Sequence, residues 1–351
     1  MMVKKLSVAM TALLLCLGLV ACGGDDDSAA GGEGKLTFAG WGGTTQENID
    51  KAWLQPYAKE SGVAVTQDSP VDYGKVKQMV DAKNVIWDVF EAGSDFGLDE
   101  NDSLTPMDCD IVACGDFDGG PIPLYKYGVP MFTFSVVLTY NTDALTQAPT
   151  SWADFFDTKK FPGKRAVYNG VPGALQGLLD TALIQDGVDP ADLYPLDVDR
   201  ALKKLDSIKD DIVFYSDFGQ CTQLVGSGEA VMGNCYQGRD LTAMDEGQPI
   251  DFIWSGQVIY ADYLMVPKGA PNQDEAMKLI AYITSAEHNG DFAKLQAYGP
   301  ANPKTELSPD LAAKMPTSNV MPGADAPVIV DDKWWNDNLE SVTQKWNAWA
   351  S

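Results

Sequence analysis

Apolar runs typical of strands alternate along the chain with segments whose apolar residues recur every three or four positions. "KLTFAGW", which starts at Lys35, predicts a strand, and in the next segment Ile49, Trp53 and Tyr57 repeat at helical spacing. "VAVTQDS", "YGKVKQMVDAK" and "WDVFEAG" then predict a strand, a helix and a strand. This order indicates parallel βαβ units, whose strand ends form ligand crevices in open α/β sheets.

A second series of strands and helices follows a long β-rich run, "VPMFTFSVVLTYNTDAL". "RAVYNG" and "IVFYSD" predict strands, with helices at 173–186 and 197–209 between them, and "VIYADYLMVP" at 258–267 closes the series. A helix is predicted at 273–286. The last segments resemble a return to the first series, so we expect the second series to be an insertion in the first.

The C-terminal segment carries an apolar stripe. Trp335, Leu339, Val342, Trp346 and Trp349 are separated by steps of four, three, four and three, which places them on one helix face. Such a face could bind a membrane surface, but its polar side carries few cations. Packing onto the second lobe is therefore the favoured interpretation.

The run "VIYADYLMVP" contains a carboxylate on an apolar face. In a strand, Asp262 shares its face with Val258, Tyr260, Leu264 and Val266. A lone buried carboxylate is costly unless another group pairs with it. The pattern therefore marks Asp262 as a candidate for binding a cationic partner.

The first residues indicate export. Lys4 and Lys5 precede the apolar stretch "LSVAMTALLLCLGLV", which is too short and wrongly flanked for a lasting transmembrane helix. It ends in "LVAC", which resembles a bacterial lipoprotein signal and implies cleavage before Cys22 and lipid attachment to its thiol; the alternative is an ordinary secretory signal. We therefore expect a signal peptide at 1–21 and a lipid-anchored flexible tether at 22–34.

Acidic residues dominate the charge. The formal net charge is −25, and loss of Lys4 and Lys5 with the signal takes it to −27. This surface disfavours nucleic acid or anionic lipid as a partner and suits a cationic or zwitterionic ligand. Solubility or a salty medium would explain the acidity equally well.

Four cysteines remain after Cys16 and Cys22 are assigned to the signal and the anchor. In an exported protein an even number suggests disulfides, and proximity favours the pairs Cys109–Cys114 and Cys221–Cys235. A metal site is the rival, although the spacing matches no standard zinc pattern. We therefore expect two disulfides and no metal site.

The sequence disfavours several classes of catalytic or nucleotide-binding site. The chain has one histidine, His288, so a Ser–His–Asp or Cys–His device would have to use it. There is no P-loop motif, and "AGWGGT" lacks the dinucleotide-binding fingerprint. We expect no cofactor and no enzymatic activity.

Five segments together resemble the spermidine/putrescine-binding family of extracytoplasmic solute-binding lipoproteins of ABC importers. They are "FAGW", "YNTDALTQAPTSWADFFD", "GEAVMGNCYQGRD", "GQPIDFIWSGQVIYADYLMVPKGAPNQDEAMKLIAYI" and "AYGPANPK". The resemblance implies an α/β fold with two lobes, the type II periplasmic-binding-protein fold, with a hinge of crossing strands that closes on ligand. It implies one lobe from 35–139 and 263–300 and another from 140–262 and 301–351.

The resemblance also implies an aromatic box for an alkyl chain and a carboxylate for an ammonium. Trp41, Tyr236, Tyr260 and Tyr298 stand at aromatic positions of that family, and Asp262 at its amine-binding aspartate. Aromatic faces attract cations and pack on methylenes, and a desolvated carboxylate gives a charge-assisted hydrogen bond. Each aromatic could instead be a packing residue.

Two departures from that family affect the ligand. The second acidic pair is absent from "YNGVPGALQG", and Arg239 follows Tyr236 by three residues. A guanidinium would repel a second ammonium and bind a carboxylate through a bidentate fork. Asp262 and Arg239 together suit a zwitterion such as γ-aminobutyrate, unless Arg239 caps a helix or pairs with Asp240 or Asp262.

Ser94 and Asp95 complete the candidate ligand-binding residues, because they follow the third strand, where such crevices lie. The resulting hypothesis is a membrane-anchored receptor, expected to be monomeric, that captures a polyamine or an ω-amino acid outside the cytoplasm and delivers it to an ABC permease. The alternatives are a ferric-ion-binding relative, an exported carboxylate-based enzyme and a structural lipoprotein.

Overall fold

The computed structural model describes residues 34–97, 101–120, 122–170, 174–217 and 219–351. The predicted signal peptide, lipidation site and nearly all of the tether lie outside these ranges. Within them, every helix is too short or too polar to span a bilayer.

The described residues contain strands close to the predicted positions. In chain order these are β1 (Lys35–Ala39), β2 (Ala64–Asp68), β3 (Val89–Gly93), β4 (Val129–Asn141), β5 (Arg165–Tyr168), β6 (Ile212–Tyr215), β7 (Met232–Tyr236), β8 (Ile250–Met265), β9 (Gly299–Pro300) and β10 (Val328–Ile329).

Helices connect most of the strands. They are α1 (Gly43–Ile49), α2 (Gln55–Ser61), α3 (Tyr73–Asp81), α4 (Trp152–Phe156), α5 (Ala174–Gln185), α6 (Val198–Leu205), α7 (Gln220–Gly226), α8 (Gln237–Asp245), α9 (Gln273–Thr284), α10 (Pro309–Ala312) and α11 (Asp332–Ala350). A π-helical stretch, Asp50–Leu54, joins α1 to α2, so the single helix predicted there runs continuously but not as one regular α-helix.

The strands of the described residues form one mixed sheet in the order β2-β1-β3-β8-β4-β7-β5-β6, with β10 paired to β8 and β9 paired to β4. The outer pairs are parallel, as the βαβ pattern predicts. The central ladders that join β3, β8, β4 and β7 are antiparallel. Antiparallel strands need no crossover helix, which is why long strands can run through the middle of the molecule.

The two central strands, β4 and β8, change neighbours along their length. Phe132 and Thr133 pair with β9, whereas Val136 begins the pairing of β4 with β7. On β8, the residues from Asp262 to Met265 pair with β3, and Val258 and Ile259 pair with β10. The chain thus passes from one half of the sheet to the other near the middle of the β4–β8 ladder.

Separate hydrophobic cores lie against the two halves. Trp53, Phe132 and Phe292 stack in the first core, with the Trp53 and Phe292 rings 5.2 Å apart. The second core contains Trp335 and Trp346 of α11, so the C-terminal stripe packs against protein as predicted. Burial of side chains of this size contributes roughly 1.5–3 kcal/mol each.

Both predicted disulfides are present. Cys109–Cys114 closes a short loop with a Cα–Cα distance of 5.4 Å, and Cys221–Cys235 joins α7 to β7 over 5.5 Å. The second bridge ends directly before Tyr236, the last residue of β7.

Gln237 fixes the start of α8 between the central strands and the segment before β9. Its side chain is fully buried. Oε1 accepts the Ser135 N–H of β4 at 3.0 Å, and Nε2 donates to the Ala297 carbonyl. Gln237 follows Tyr236, and Ala297 precedes Tyr298. The Gln237 amide therefore helps to position two residues of the site predicted from the sequence, Tyr236 and Tyr298.

We expect Gln237→Leu to lower the free energy of unfolding by roughly 2–4 kcal/mol, because it leaves a buried N–H and a buried carbonyl without partners. Urea denaturation with the disulfides intact measures the change. Gln223→Leu, on the exposed face of α7, is the matched control and should change stability by less than about 0.5 kcal/mol. Equal stability of both variants would contradict the bridging role of Gln237.

Candidate functional site

Two carboxyl groups lie side by side at the centre of the sheet. β3 and β8 pair in antiparallel register with Gly93 opposite Asp262, so Glu91 and Asp262 point to the same face as diagonal neighbours. Glu91 is 1% exposed, whereas Asp262 keeps a partly exposed edge. Oε2 of Glu91 accepts the Trp41 backbone N–H at 3.3 Å, and Oε1 accepts no protein N–H or O–H group.

This arrangement disfavours two negative charges. Burial raises the pKa of Glu91, a shift only partly offset by its hydrogen bonds with Asp262 and Trp41. Burial also raises the pKa of Asp262 well above its ordinary value, and the neighbouring charge and hydrogen bond of Glu91 raise it further. The two carboxyl groups are stable together when they share a proton or when a cation lies against them.

Asp95 and Tyr73 border this pair. The Tyr73 hydroxyl donates to Asp95 Oδ1 at 2.8 Å, and the pKa of Asp95 is raised, chiefly by burial. The charge of Asp95 also contributes to the raised pKa of Asp262. This edge of the sheet therefore attracts positive charge.

Trp41 lies at the same edge, on the turn that leads into α1. Its ring is 42% exposed and lies 5.7 Å from that of Tyr73. The preceding Gly40 allows the close approach of the turn, because a Cβ there would lie 2.9 Å from Glu91 Oε2. An exposed indole beside buried carboxyl groups can cover a bound cation.

Phe134 joins the three predicted tyrosines into one aromatic cluster. Its ring centroid lies 5.3 Å from Tyr298, 5.7 Å from Tyr260 and 5.8 Å from Tyr236. The β4–β8 register places Phe134 opposite Tyr260 and Phe132 opposite Asp262, so the cluster continues directly to the carboxyl pair. The Tyr260 hydroxyl accepts the Gly177 N–H of α5 at 2.9 Å.

Arg239 lies in the first turn of α8 with an exposed side chain. Among the residues that the structure describes, no salt bridge involves it. The Asp240 carboxylate is buried and accepts the hydroxyls of Thr139 and Thr222 instead. Within the described residues the guanidinium therefore forms no ion pair, and the pairing with Asp240 or Asp262 considered from the sequence is not formed.

Tyr298 lies within electrostatic reach of both charged groups. Burial raises its pKa to about 12, the positive charge of Arg239 opposes this, and Asp262 and Glu91 add to it. The Tyr298 ring also packs on the backbone of α8, where a Cβ at Gly238 would lie 2.6 Å from Cε1. One aromatic ring thus connects the carboxyl pair with the cation.

Ser94 has a protein partner at this edge. Its Oγ donates to Asp332 Oδ1 at 2.6 Å, and Asn336 Nδ2 donates to its carbonyl at 2.9 Å. Both partners lie in the first turns of α11, so the loop after β3 is attached to the C-terminal helix. A ligand contact by Ser94 stays a prediction.

Three residues of this arrangement were not predicted from the sequence: Glu91, Tyr73 and Phe134. Glu91 had a visible signal, because it is a carboxylate within the apolar strand "WDVFEAG", as Asp262 is within its own strand. Tyr73 and Phe134 carried no comparable signal, since aromatic residues in helices and β-rich runs are usually core. In the described ranges, no group of three or more His, Cys, Asp or Glu side chains is arranged to hold a metal ion.

Relatives of this chain carry names that describe binding of small amines. Residues 52–317 match the family model of the bacterial extracellular solute-binding proteins. The γ-aminobutyric acid-binding protein of Pseudomonas aeruginosa is 33% identical over 90% of this chain and 91% of its own length. The spermidine/putrescine-binding periplasmic protein of Escherichia coli is 23% identical over 92% and 91%.

Solved structures give the same picture. A γ-aminobutyrate receptor superposes with a TM-score of 0.80 at 38% identity, covering 90% of this chain and 98% of its own. An ABC transporter substrate-binding protein from Bradyrhizobium japonicum superposes with a TM-score of 0.80 at 31% identity, covering 91% and 100%. These neighbours share the two-lobed fold, and they are transport proteins rather than enzymes. The chain belongs to the family of bacterial extracellular solute-binding proteins.

Proposed function

We propose that this solute-binding protein of an ABC importer captures a short ω-amino acid of the γ-aminobutyrate type. The observation that carries the proposal is the guanidinium of Arg239, which forms no salt bridge with the described residues and acts electrostatically on the same tyrosine, Tyr298, as Glu91 and Asp262. A zwitterion with one ammonium and one carboxylate complements these two charges. A metal ion or a neutral solute does not.

Asp262 is the proposed ammonium partner. Its carboxyl group is largely removed from water, although the residue remains partly exposed. The neighbouring Glu91 and Asp95 make its surroundings more negative. A charge-assisted hydrogen bond in such surroundings is roughly twice as strong as a neutral one. We propose that the indole ring of Trp41 covers the solvent-facing side of the bound ammonium through a cation–π contact.

Tyr236, Tyr260 and Tyr298 are the proposed walls for the methylenes, together with Phe134. Their rings lie 5.3–5.8 Å from that of Phe134, which leaves an apolar surface between the charged ends. The ring faces of such a wall pack on an alkyl chain.

Arg239 is the proposed carboxylate partner. Its planar fork matches a carboxylate through two parallel hydrogen bonds. It also lies at the start of a nine-residue helix, whose positive end favours an anion. A polyamine would instead bring a second ammonium towards this cation. The names of the relatives at 33% and 38% identity also support an amino acid as the ligand.

Closure of two lobes on the ligand and delivery to the permease follow from this assignment. Contacts made with both halves of the sheet stabilise only the closed state, so the ligand shifts the equilibrium towards it. We propose that the hinge lies in the β4–β8 ladder. One lobe then consists of residues 35–139 and 263–300, and the other of residues 140–262 and 301–351, as predicted. We also propose that the receptor is monomeric.

Lipidation of Cys22 is the proposed anchor, with the Gly- and Asp-rich segment after it as the tether. A flexible linker of this composition lets the folded domain reach a permease in the same membrane while remaining attached.

Substitution of Arg239 separates the two ligand classes. We expect Arg239→Ala to weaken γ-aminobutyrate binding roughly 10- to 100-fold, because charge-assisted hydrogen bonds are lost. The affinity for putrescine should stay the same or rise, because repulsion of its second ammonium is removed. Isothermal titration calorimetry with γ-aminobutyrate, putrescine and spermidine measures both effects.

The controls for this experiment use matched residues. Arg200→Ala removes an exposed arginine that pairs with Asp186 on α5–α6 and should leave every affinity unchanged. Asp262→Ala and Tyr236→Ala should abolish binding of amines of both classes while the circular dichroism spectrum stays native. Unchanged binding in both variants would remove the proposed site, and binding of putrescine alone by the wild type would replace the amino acid with a diamine.

Substitution of Cys22 tests the anchor. We expect Cys22→Ser to release the protein from the membrane fraction into the soluble exported fraction of the cell, because the acylated thiol is absent. Immunoblotting of fractionated cells measures this, with Cys16→Ser as the control that should leave the protein with the membrane. Membrane association of both variants would argue against lipidation at Cys22.

A further inference from the structure

We propose that the ligand-free Glu91–Asp262 pair holds one proton between its carboxyl groups, and that the ligand's ammonium displaces this proton to solvent on binding. The inference rests on the proposed function, since an amine at Asp262 is what removes the proton. It makes Glu91 a residue that determines ligand selectivity, a role that the sequence did not suggest.

The geometry supplies the reason. Glu91 is fully enclosed, its Oε1 receives no protein N–H or O–H group, and the group beside it is another carboxyl. Two ionised carboxyl groups in this setting would repel each other with little solvent screening. When Asp262 carries the proton, its O–H can donate to Glu91, which gives a hydrogen bond between the two side chains.

The charges balance in both states. With one proton the ligand-free pair carries one negative charge. With an ammonium against two ionised carboxylates, the site again carries one negative charge, and the proton has passed to the buffer. A hydroxyl group in place of the ammonium cannot compensate two carboxylates, so the pair selects a cation over an uncharged isostere.

Other titratable or charged groups face the pair from the elements around it. They are Tyr73 on α3, Asp95 after β3, Tyr260 and Tyr263 on β8, Tyr298 before β9, Arg239 on α8 and, beyond Asp95, Asp332 on α11. The tyrosines have raised pKa values and stay neutral at physiological pH. Asp332 has its pKa raised to about 6 by burial and is the group to control for.

The sign of the pH dependence follows from linkage. Between the two pKa values of the pair, where it holds one proton, each binding event must release that proton, so the affinity rises with pH by up to about tenfold per unit. Above those values the pair is already ionised, and the affinity becomes constant. Without a shared proton, the affinity would be flat from about pH 5 to 8, because the ligand's own groups do not titrate there.

Calorimetry in buffers of different ionisation enthalpy counts the protons. At about pH 6 we expect wild-type protein to release close to one proton per γ-aminobutyrate bound. Glu91→Gln should release clearly less than wild type and should show a weaker dependence of affinity on pH, since the charge and hydrogen bond of Glu91 no longer add to the burial that raises the pKa of Asp262. Asp332→Asn is the matched control and should release the same proton as wild type.

A ligand-free comparison keeps the test independent of the proposed ligand. Carboxyl groups with raised pKa values bind protons more tightly in the folded state, so stability falls as pH rises from their ordinary values to the raised ones. The midpoint temperature of thermal unfolding should therefore fall further between about pH 5 and 8 for wild type than for Glu91→Gln. Asp95, Asp180, Asp240 and Asp332, whose pKa values are also raised, are common to both proteins and cancel to a first approximation.

The outcomes separate the two proposals. Binding of γ-aminobutyrate without proton release, or with equal release in Glu91→Gln, overturns the shared proton and leaves the proposed function intact. Absence of binding by any amine overturns the proposed function, and the thermal comparison then decides the shared proton alone. 4-Hydroxybutyrate, which lacks the ammonium, should bind far more weakly and release no proton; equal binding of this analogue would overturn the selectivity role of the pair.

Discussion

The antiparallel ladder between β4 and β8 is the constraint on which the rest of the molecule depends. Both halves of the sheet pair with these two strands, and both hydrophobic cores include residues from them. The same register sets Phe132 opposite Asp262 and Phe134 opposite Tyr260. A shift of one residue would turn both pairs to the other face of the sheet, so the connection between the lobes and the composition of the site are determined together.

A cost in stability accompanies this site. Glu91, Asp95 and Asp262 are carboxyl groups whose surroundings disfavour their charged forms, and Arg239 is a cation that pairs with no carboxylate of the described residues. Proteins generally pair such groups internally when binding does not need them. The acidic groups lie at one edge of the sheet, and the basic group lies at the start of a helix. This separation is the pattern expected of a receptor for a zwitterion. Such a role would explain why an otherwise well-packed sheet retains these groups.

Much of the fold could be predicted from periodicity alone. The helices predicted at 73–83 and 273–286 correspond to α3 and α9, and the tryptophan stripe of α11 faces a core as its spacing indicates. Periodicity could not show that β8 lies between β3 and β4, because strand order is set by packing over long sequence separations. Glu91 and Asp262 meet only because of that order, so two carboxylates with the same local signal were not recognised as a pair.

The aromatic part of the site was accessible by another route. Tyr236, Tyr260 and Tyr298 were identified through a family resemblance, and the structure brings all three together around Phe134. Phe134 itself lies in a run of thirteen strand residues that are nearly all buried, where nothing local distinguishes a site residue from a core residue. Arg239 was recognisable because an arginine departs from the pattern of polyamine-binding relatives. That it forms no salt bridge with the part of the chain the structure describes could be known only from its three-dimensional neighbours.

The attachment of α11 to Ser94 has a practical consequence for measurement. The helix has 19 residues and is therefore about 28 Å long, with Asp332 at the edge of the carboxyl cluster and Ala350 at the far end. A fluorophore at Ser351 would lie a full helix length from the site. It would still be attached to α11, which is hydrogen-bonded to the loop after β3. Ser351 is thus a suitable place to attach an optical reporter of the proposed lobe movement without disturbing the groups proposed to select the ligand.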